Sequence, residues 1–175
     1  MFSLNKYGIT LRPVTENDAS LIISIRTDDN KSRFISKTSE DIELQKTWIT
    51  KYKLREQKKQ EYYFIAVDEN GIEFATYRVY DIESGLPEIG SWVSLPGYTK
   101  PKNSIKVDVL VKEFVFTDLN FEKLKFEVRK ENLSVIKYHK LFSPTIYKET
   151  EKDIYFTLER EIFLDLKYKL FKDFK

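Results

Sequence analysis

The stretch Glu127-Val128-Arg129-Lys130-Glu131-Asn132-Leu133-Ser134-Val135-Ile136-Lys137-Tyr138-His139-Lys140-Leu141-Phe142 reads as the end of a β-strand, a tight turn and a short helix. The strand spans Lys123 to Val128, where apolar and polar residues alternate. Asn132 is a helix cap, because its short side chain can accept an orphan N–H at a helix start. The helix follows from Leu133 to Lys140. His139 is the one histidine of the chain. Val135 and Ile136 lie four and three residues before it, on its own face of the helix, so the ring points partly inward. Tyr138 projects about 100° away round the helix.

Moving back along the chain, Ile9 to Pro13 alternates and is stopped by Pro13, which suits a first strand. Asn17-Asp18 offers a cap for a helix through Leu21, Ile22 and Ile25. Residues 27 to 38 read as a loop. Thr38-Ser39-Glu40-Asp41 starts a second helix, with a hydroxyl cap and acids in the first turn. Leu44, Trp48 and Tyr52 recur every fourth residue, and this helix runs to about Gln57. Tyr62 to Val67 is a strand, Asp68-Glu69-Asn70-Gly71 a hairpin turn, and Glu73 to Asp81 the returning strand. A turn at 83–87 leads to a third strand, Glu88 to Leu95, which completes an antiparallel meander. The loop 96–103 gives way to a long apolar segment, Ser104 to Leu119. Val107, Leu110, Val111 and Phe114 share one face, and Ile105, Val109 and Phe116 another, so this helix is buried.

Beyond the opening stretch, Thr145–Glu149 and Asp153–Leu158 read as a strand pair. The tail Ile162, Phe163, Leu166, Leu170 and Phe174 has helical spacing with lysines between. It could pack on the domain, meet a partner chain or lie on an anionic membrane, and packing is the preferred reading. The fold class is α+β: a mixed, mostly antiparallel twisted sheet of about six to seven strands, helices on both faces and an added C-terminal helix. The 175 residues make one domain, with a core over about 9–158 and an extension over 159–175.

Composition excludes several functions. The chain is 41% hydrophobic, with 13 Phe, 11 Tyr and 2 Trp, enough for a sizeable core. Its 30 basic and 28 acidic residues leave a net charge of +2. That balance, with lysines dispersed among acids, argues against a nucleic-acid binder. The absence of cysteine removes disulfides, thiolate catalysis and Cys-based zinc sites, and a single His removes a His-rich metal site. No run of about 18 apolar residues is present, and Met1 to Lys6 lacks a signal-peptide apolar region, so the expected location is cytoplasmic.

The order of elements over Ile9 to Leu158 resembles the GNAT superfamily of acetyl-CoA-dependent N-acetyltransferases. The branches in view acetylate amino sugars attached to nucleotides and the N-termini of ribosomal proteins. The local match is Val128-Arg129-x-x-Asn132-x-x-Val135-Ile136-x-x-His139-x-x-Phe142, although the Gly that usually precedes the Phe is missing. The strand Glu88-Ile89-Gly90-Ser91-Trp92-Val93-Ser94-Leu95 matches the family strand that splays from its neighbour and lends backbone groups to pantetheine. The resemblance therefore implies cofactor contacts at Trp92, Val93 and Ser94, by main-chain pairing of the kind seen in β-augmentation. The plainer reading is a core strand with Trp92 as filler.

The family's pyrophosphate turn has its counterpart in Lys100-Pro101-Lys102-Asn103-Ser104-Ile105, before the long helix. A helix N-terminus is a natural anion site. Here Lys100 stands for the family's cation, Asn103 for its first Gly and Ile105 for its second, and Lys100 and Lys102 would act as point charges on phosphate. Asn132 adds a possible cofactor hydrogen bond. His139 occupies the slot of a Tyr near the acetyl sulfur. With a pKa near ~6.5 it would act as general acid toward the thiolate. Tyr138 is the fallback acid, and the bland alternative for His139 is a half-buried packing role. Glu88 is the first candidate base and Asp81 the second. Arg26, Asp28, Asn30, Arg33 and Phe34 resemble the Arg-rich stretch of the amino-sugar branch. Arg33 and Arg78 would bind phosphate of a sugar nucleotide, and Tyr80 or Trp48 would stack on a ring.

The expectation is a monomeric or homodimeric N-acetyltransferase. It uses acetyl-CoA as co-substrate and no metal, and it transfers acetyl directly to a primary amine of a small molecule, a nucleotide-linked amino sugar. A protein N-terminus or a polyamine is the alternative acceptor. A non-catalytic GNAT-like binding or assembly module is the alternative of another class, supported by the altered phosphate turn and the missing Gly.

Overall fold

The computed structural model describes residues 2–28, 30 and 33–174. Eight strands form one sheet: β1 (Leu4–Lys6), β2 (Ile9–Pro13), β3 (Tyr62–Asp68), β4 (Glu73–Tyr80), β5 (Glu88–Ser94), β6 (Lys123–Arg129), β7 (Thr145–Glu149) and β8 (Asp153–Glu159). They lie in the order β1-β2-β3-β4-β5-β6-β8-β7. All neighbours pair antiparallel except β5 and β6, which are parallel. The sheet has one strand more than the six to seven expected. The added β1 turns into β2 through Tyr7-Gly8, both at positive φ (60° and 72°). A Tyr in left-handed backbone is an uncommon turn signal, so the hairpin is hidden in sequence.

Among the described residues, five helices stand out: α1 (Ala19–Arg26), α2 (Ile42–Gln57), α3 (Pro101–Glu113), α4 (Leu133–Lys140) and α5 (Arg160–Leu170). β3 shows how they are shared between the faces. Phe64 and Ala66 join the core that contains α3 and Phe163 of α5, whereas Tyr63 and Ile65 join Ala19, Ile22, Ile49 and Tyr52 of α1 and α2. Alternating side chains thus feed two cores from one strand. The C-terminal helix packs on its own chain: Phe163 is fully buried against Phe116 and Phe142.

Three starts differ from expectation. Asp41, not a hydroxyl, caps α2 by accepting from Glu43 N–H and Leu44 N–H at 2.9 and 3.1 Å. Thr38 instead accepts from Arg26 Nε at 2.6 Å. Asp18 turns back to Thr15 N–H at 2.7 Å and to Arg12, so it does not cap α1. The long helix begins earlier, with Pro101 in its first turn, and closes in a π-helical turn over Phe114–Asp118.

The parallel pair positions the site. Glu88 and Lys125 are the only residues of β5 and β6 in register, and beyond them the strands part. On its other side β5 carries a bulge: Thr76 pairs with Val93 and Arg78 with Gly90, so Ser91 and Trp92 oppose Tyr77 alone. Ser91 adopts φ 53°, and its carbonyl accepts from Thr76 Oγ1 at 2.9 Å.

Candidate active site

A cleft of about 720 Å³ opens where β5 and β6 part. β5 lines it from Ile89 to Ser94, β6 from Phe126 to Arg129, and α4 contributes Asn132, Ser134, Val135 and His139. Pro101 and Ser104 of the first turn of α3 form another part of the wall. Arg26, Asn30 and Phe34 to Ser36 form a further part, beside Tyr77, Arg78 and Tyr80 of β4.

The structure divides the cofactor candidates. Trp92, Val93, Ser94, Ser104 and Asn132 line the cleft. Ser94 Oγ and Ser104 Oγ lie 2.8 Å apart, which ties the end of β5 to the start of α3. Lys100, Lys102, Asn103 and Ile105 are outside the lining. Lys100 donates to Asp68 Oδ2 at 3.1 Å, and Asn103 Nδ2 donates to Tyr98 Oη at 2.6 Å. The buried carboxylate of Asp68 also accepts from Tyr98 Oη and from the N–H groups of Asn70 and Ile72. Burial raises its pKa, but those N–H groups and Lys100 outweigh burial and bring it to about 2. Lys100 is therefore the partner of an ionised acid, and its use as a free phosphate cation is corrected. Asn132 makes no side-chain cap bond either; its Oδ1 accepts from Ser134 Oγ at 3.2 Å.

His139 lines the cleft yet is only 4% exposed. Its ring packs on Phe126 (centroids 4.4 Å apart) and Trp92 (5.8 Å). Burial, and then the nearby Lys112 ammonium, lower its pKa to about 3, against the opposing pull of Asp108. The imidazole is neutral at pH 7. This corrects the expectation of a ring titrating near 6.5, because that expectation assumed a solvated side chain. Tyr138 is outside the lining. Its rotation round the helix aims its hydroxyl at Asp108 Oδ2, 2.6 Å away, and burial with the Asp108 charge drives its pKa well up. It is thereby removed as a cleft acid.

The two acids expected near the mouth do not line the cleft themselves. Asp81 lies at φ 56° in the turn after β4 and is ion-paired with Lys125. Glu88 accepts from Tyr80 Oη at 2.8 Å and sits 3.7 Å from Lys125. Burial raises its pKa, partly opposed by Tyr80 and Lys125. Tyr80 lines the cleft, so its hydroxyl connects the cleft to Glu88. Gly90 makes room for it: a Cβ there would stand 2.9 Å from Tyr80 Oη.

Among the expected substrate residues, Phe34, Arg78 and Tyr80 line the cleft. Trp48 lines a smaller adjoining pocket that shares Arg26, Ser36 and Arg78 with the cleft. Its ring is covered by the guanidinium groups of Arg78 and Arg55, at 5.0 and 5.5 Å, so the free stacking face expected of it is occupied. Arg33 lies over Phe34 at 4.4 Å and is exposed outside the cleft. Arg78 is paired with the buried Glu61. Arg26, only 7% exposed, donates to Thr38 Oγ1, Ser36 O and Ser36 Oγ, all neutral.

Sequence reasoning missed Asp108 and Lys112, both fully buried. They stand one turn apart on α3, in the middle of its apolar run. A charged pair at i and i+4 inside a segment read as buried is the signal that could have found them.

A family model described as an acetyltransferase (GNAT) domain matches residues 9–140. FdhC, solved in its apo form and described as a nucleotide-linked sugar GNAT, is 32% identical with 99% of each chain covered and a TM-score of 0.87. A ribosomal-protein-S5-alanine acetyltransferase from Vibrio fischeri (13% identity, 100% of each chain, TM-score 0.76) shares the fold. So does spermidine N-acetyltransferase from Vibrio cholerae, solved with CoA and spermine (14% identity, 90% of this chain and 98% of that one, TM-score 0.77). No match was found among curated protein sequences. The chain belongs to the GNAT family, and it is an N-acetyltransferase. The family draws its acetyl group from acetyl-CoA.

Proposed function

We propose that this chain transfers acetyl directly from acetyl-CoA to the primary amine of a nucleotide-linked amino sugar. One observation carries the choice of acceptor. Arg26 and Arg78 both line the cleft, and Arg26 is a buried guanidinium whose partners among the described residues are neutral. Such a group suits the phosphates of a sugar nucleotide, whereas of the two carboxylates that line the cleft, Glu127 and Asp153, the second is already paired with Arg129. The likeness to FdhC supports the same reading.

The parted strands fit an acetyl-CoA donor. Gly90 to Ser94 of β5 line the cleft, and we assign their main-chain groups that do not pair with β4 to an extended, amide-rich pantetheine arm. The first turn of α3, with the hydroxyls of Ser94 and Ser104, is where we seat the pyrophosphate. Lys100, held by Asp68, is left out of that seat.

In the reaction the amine nitrogen attacks the thioester carbonyl carbon, a C–N bond forms and the C–S bond breaks. The nitrogen loses one proton to an enzyme base, which returns it to solvent, and the departing thiolate takes one from solvent, so the step balances without a covalent enzyme intermediate. Tyr80 receives the amine proton and passes its own to Glu88. Glu88 is suited to this because burial raises its affinity for a proton. His139, neutral, donates a hydrogen bond to the charge developing on the thioester oxygen or sulfur.

The test is a panel of nucleotide-linked amino sugars, peptides and polyamines, incubated with acetyl-CoA and read by release of free thiol. An amino-sugar nucleotide should give the highest kcat/KM. Preference for a peptide or a polyamine overturns the acceptor assignment. Acetyl-CoA at micromolar concentration should also raise Tm, and no shift at millimolar concentration removes the donor site.

A further inference from the structure

Beneath the cleft lies a charged group that the chemistry above does not use. Asp108 and Lys112 of α3 are both wholly buried, and Lys112 Nζ donates to Asp108 Oδ2 at 2.6 Å. The carboxylate is fixed from two other directions. Tyr77 Oη donates to Oδ1 at 2.5 Å and Tyr138 Oη to Oδ2 at 2.6 Å. The ammonium is enclosed by the rings of Phe142, Tyr138 and Phe126, 4.4, 5.3 and 5.8 Å from its nitrogen. Its remaining polar contact is His139 Nδ1, at 3.2 Å.

We propose that Lys112 is a positioning residue: clamped by Asp108, it donates to His139 Nδ1 and fixes the imidazole as the neutral tautomer with its proton on Nε2. Burial lowers the Lys112 pKa, but the Asp108 carboxylate 2.6 Å away holds the proton on its nitrogen; an ammonium has donors and no lone pair, so Nδ1 must accept. The proton of a neutral ring then resides on Nε2, the one nitrogen left to serve the cleft. Apolar side chains of similar volume would fill this space without the cost of desolvating two charges. The charged arrangement does what they could not, because it distinguishes the two ring nitrogens.

The groups that face the ring come from four elements: Lys112 and Asp108 of α3, Tyr138 of α4, Trp92 of β5 and Phe126 of β6. Only Lys112 and Asp108 are charged. The nearer ammonium opposes an imidazolium, and the ring keeps one protonation state across the neutral range. The catalytic value of this rests on the placement of His139 at the thioester proposed above; the tautomer itself does not.

Because His139 is the only histidine, a histidine-labelled sample gives one imidazole in a long-range proton–nitrogen NMR spectrum. The wild-type protein should show the Nε2–H pattern, unchanged from pH 5 to 8. An Nδ1–H pattern, a mixture of tautomers or a titration near pH 6.5 overturns the proposal. In Lys112→Met the spectrum should become a tautomer mixture, with kcat falling roughly 10-fold or more and KM for acetyl-CoA unchanged. A folded Lys112→Met protein with the wild-type spectrum also overturns it. Should that variant not fold, Asp108→Asn/Lys112→Met, which leaves no unpaired charge, is read in the same way. A wild-type spectrum as expected, combined with full turnover in His139→Phe, sinks the role of His139 in transfer and leaves the tautomer assignment standing.

Discussion

A lysine–aspartate pair beside the start of α3 and another farther along the helix use the same two kinds of charge oppositely. At the first turn, Lys100 is partly exposed and adjoins the start of the helix, where a phosphate ligand is expected. It is bound to Asp68, and both are outside the cleft lining. Two turns on, Asp108 and Lys112 lie in an apolar segment where no site is expected, and they meet His139 under the cleft floor. Position near a motif is a poorer guide to function than what a charge is already bonded to.

The sharpest way to break this contrast is to unpair each lysine. Asp108→Ala leaves Lys112 buried with no counter-charge. It should cost about 3–5 kcal/mol of stability, seen as a Tm fall of roughly 6–20 °C. A loss under about 1 kcal/mol would mean that Lys112 is reached by water. Next in size is His139→Phe, which should lower kcat by about 10²–10³-fold with acetyl-CoA binding preserved. The same variant tests the pH response. With a folded pKa of about 3 against about 6.5 unfolded, the unfolded chain binds more protons between those values. The contribution of His139 to stability is therefore full above pH 6.5 and is lost as pH falls toward 3. The slope is about 1.4 kcal/mol per pH unit, and denaturant titrations at pH 7 and 5 should show it in wild type and not in His139→Phe.

A smaller effect is expected at Gly90. The added methyl of Gly90→Ala meets Tyr80 Oη, which Glu88 holds in place, and the displaced hydroxyl should lower kcat by roughly 10- to 100-fold. Unchanged kcat would remove Tyr80 from the proton path. The smallest effect is at Lys100→Ala. Loss of a half-exposed ion pair should lower Tm only slightly, with KM for acetyl-CoA unchanged. A KM rise of tenfold would return Lys100 to the phosphates and erase the contrast.

Local periodicity made much of the fold legible. Tyr62 to Val67 is a run of strand-forming residues, Asn70-Gly71 marks its hairpin, and Leu133–Lys140 forms the expected helix. β1 was not legible because its turn places a Tyr at positive φ. In the site, the parting of β5 from β6 followed from family likeness, and Trp92, Tyr80 and His139 were found on the wall. The side chains that set their chemistry were not found. Glu88 reaches the cleft only through Tyr80, and Lys112 reaches His139 across 27 residues. Partnerships of that range depend on packing, which a run of residues read singly does not display.

One carboxylate on the far side of α3 has a consequence of another kind. Glu113 accepts from Lys6 and Tyr7 near one end of the chain and from Lys167 near the other, and the rings of Tyr7 and Phe174 stand 5.6 Å apart. A glycine-rich peptide could join Phe2 to Phe174, and the circle could then be opened between the exposed Glu151 and Lys152, giving a rearranged gene whose product keeps both the split sheet and the buried lysine.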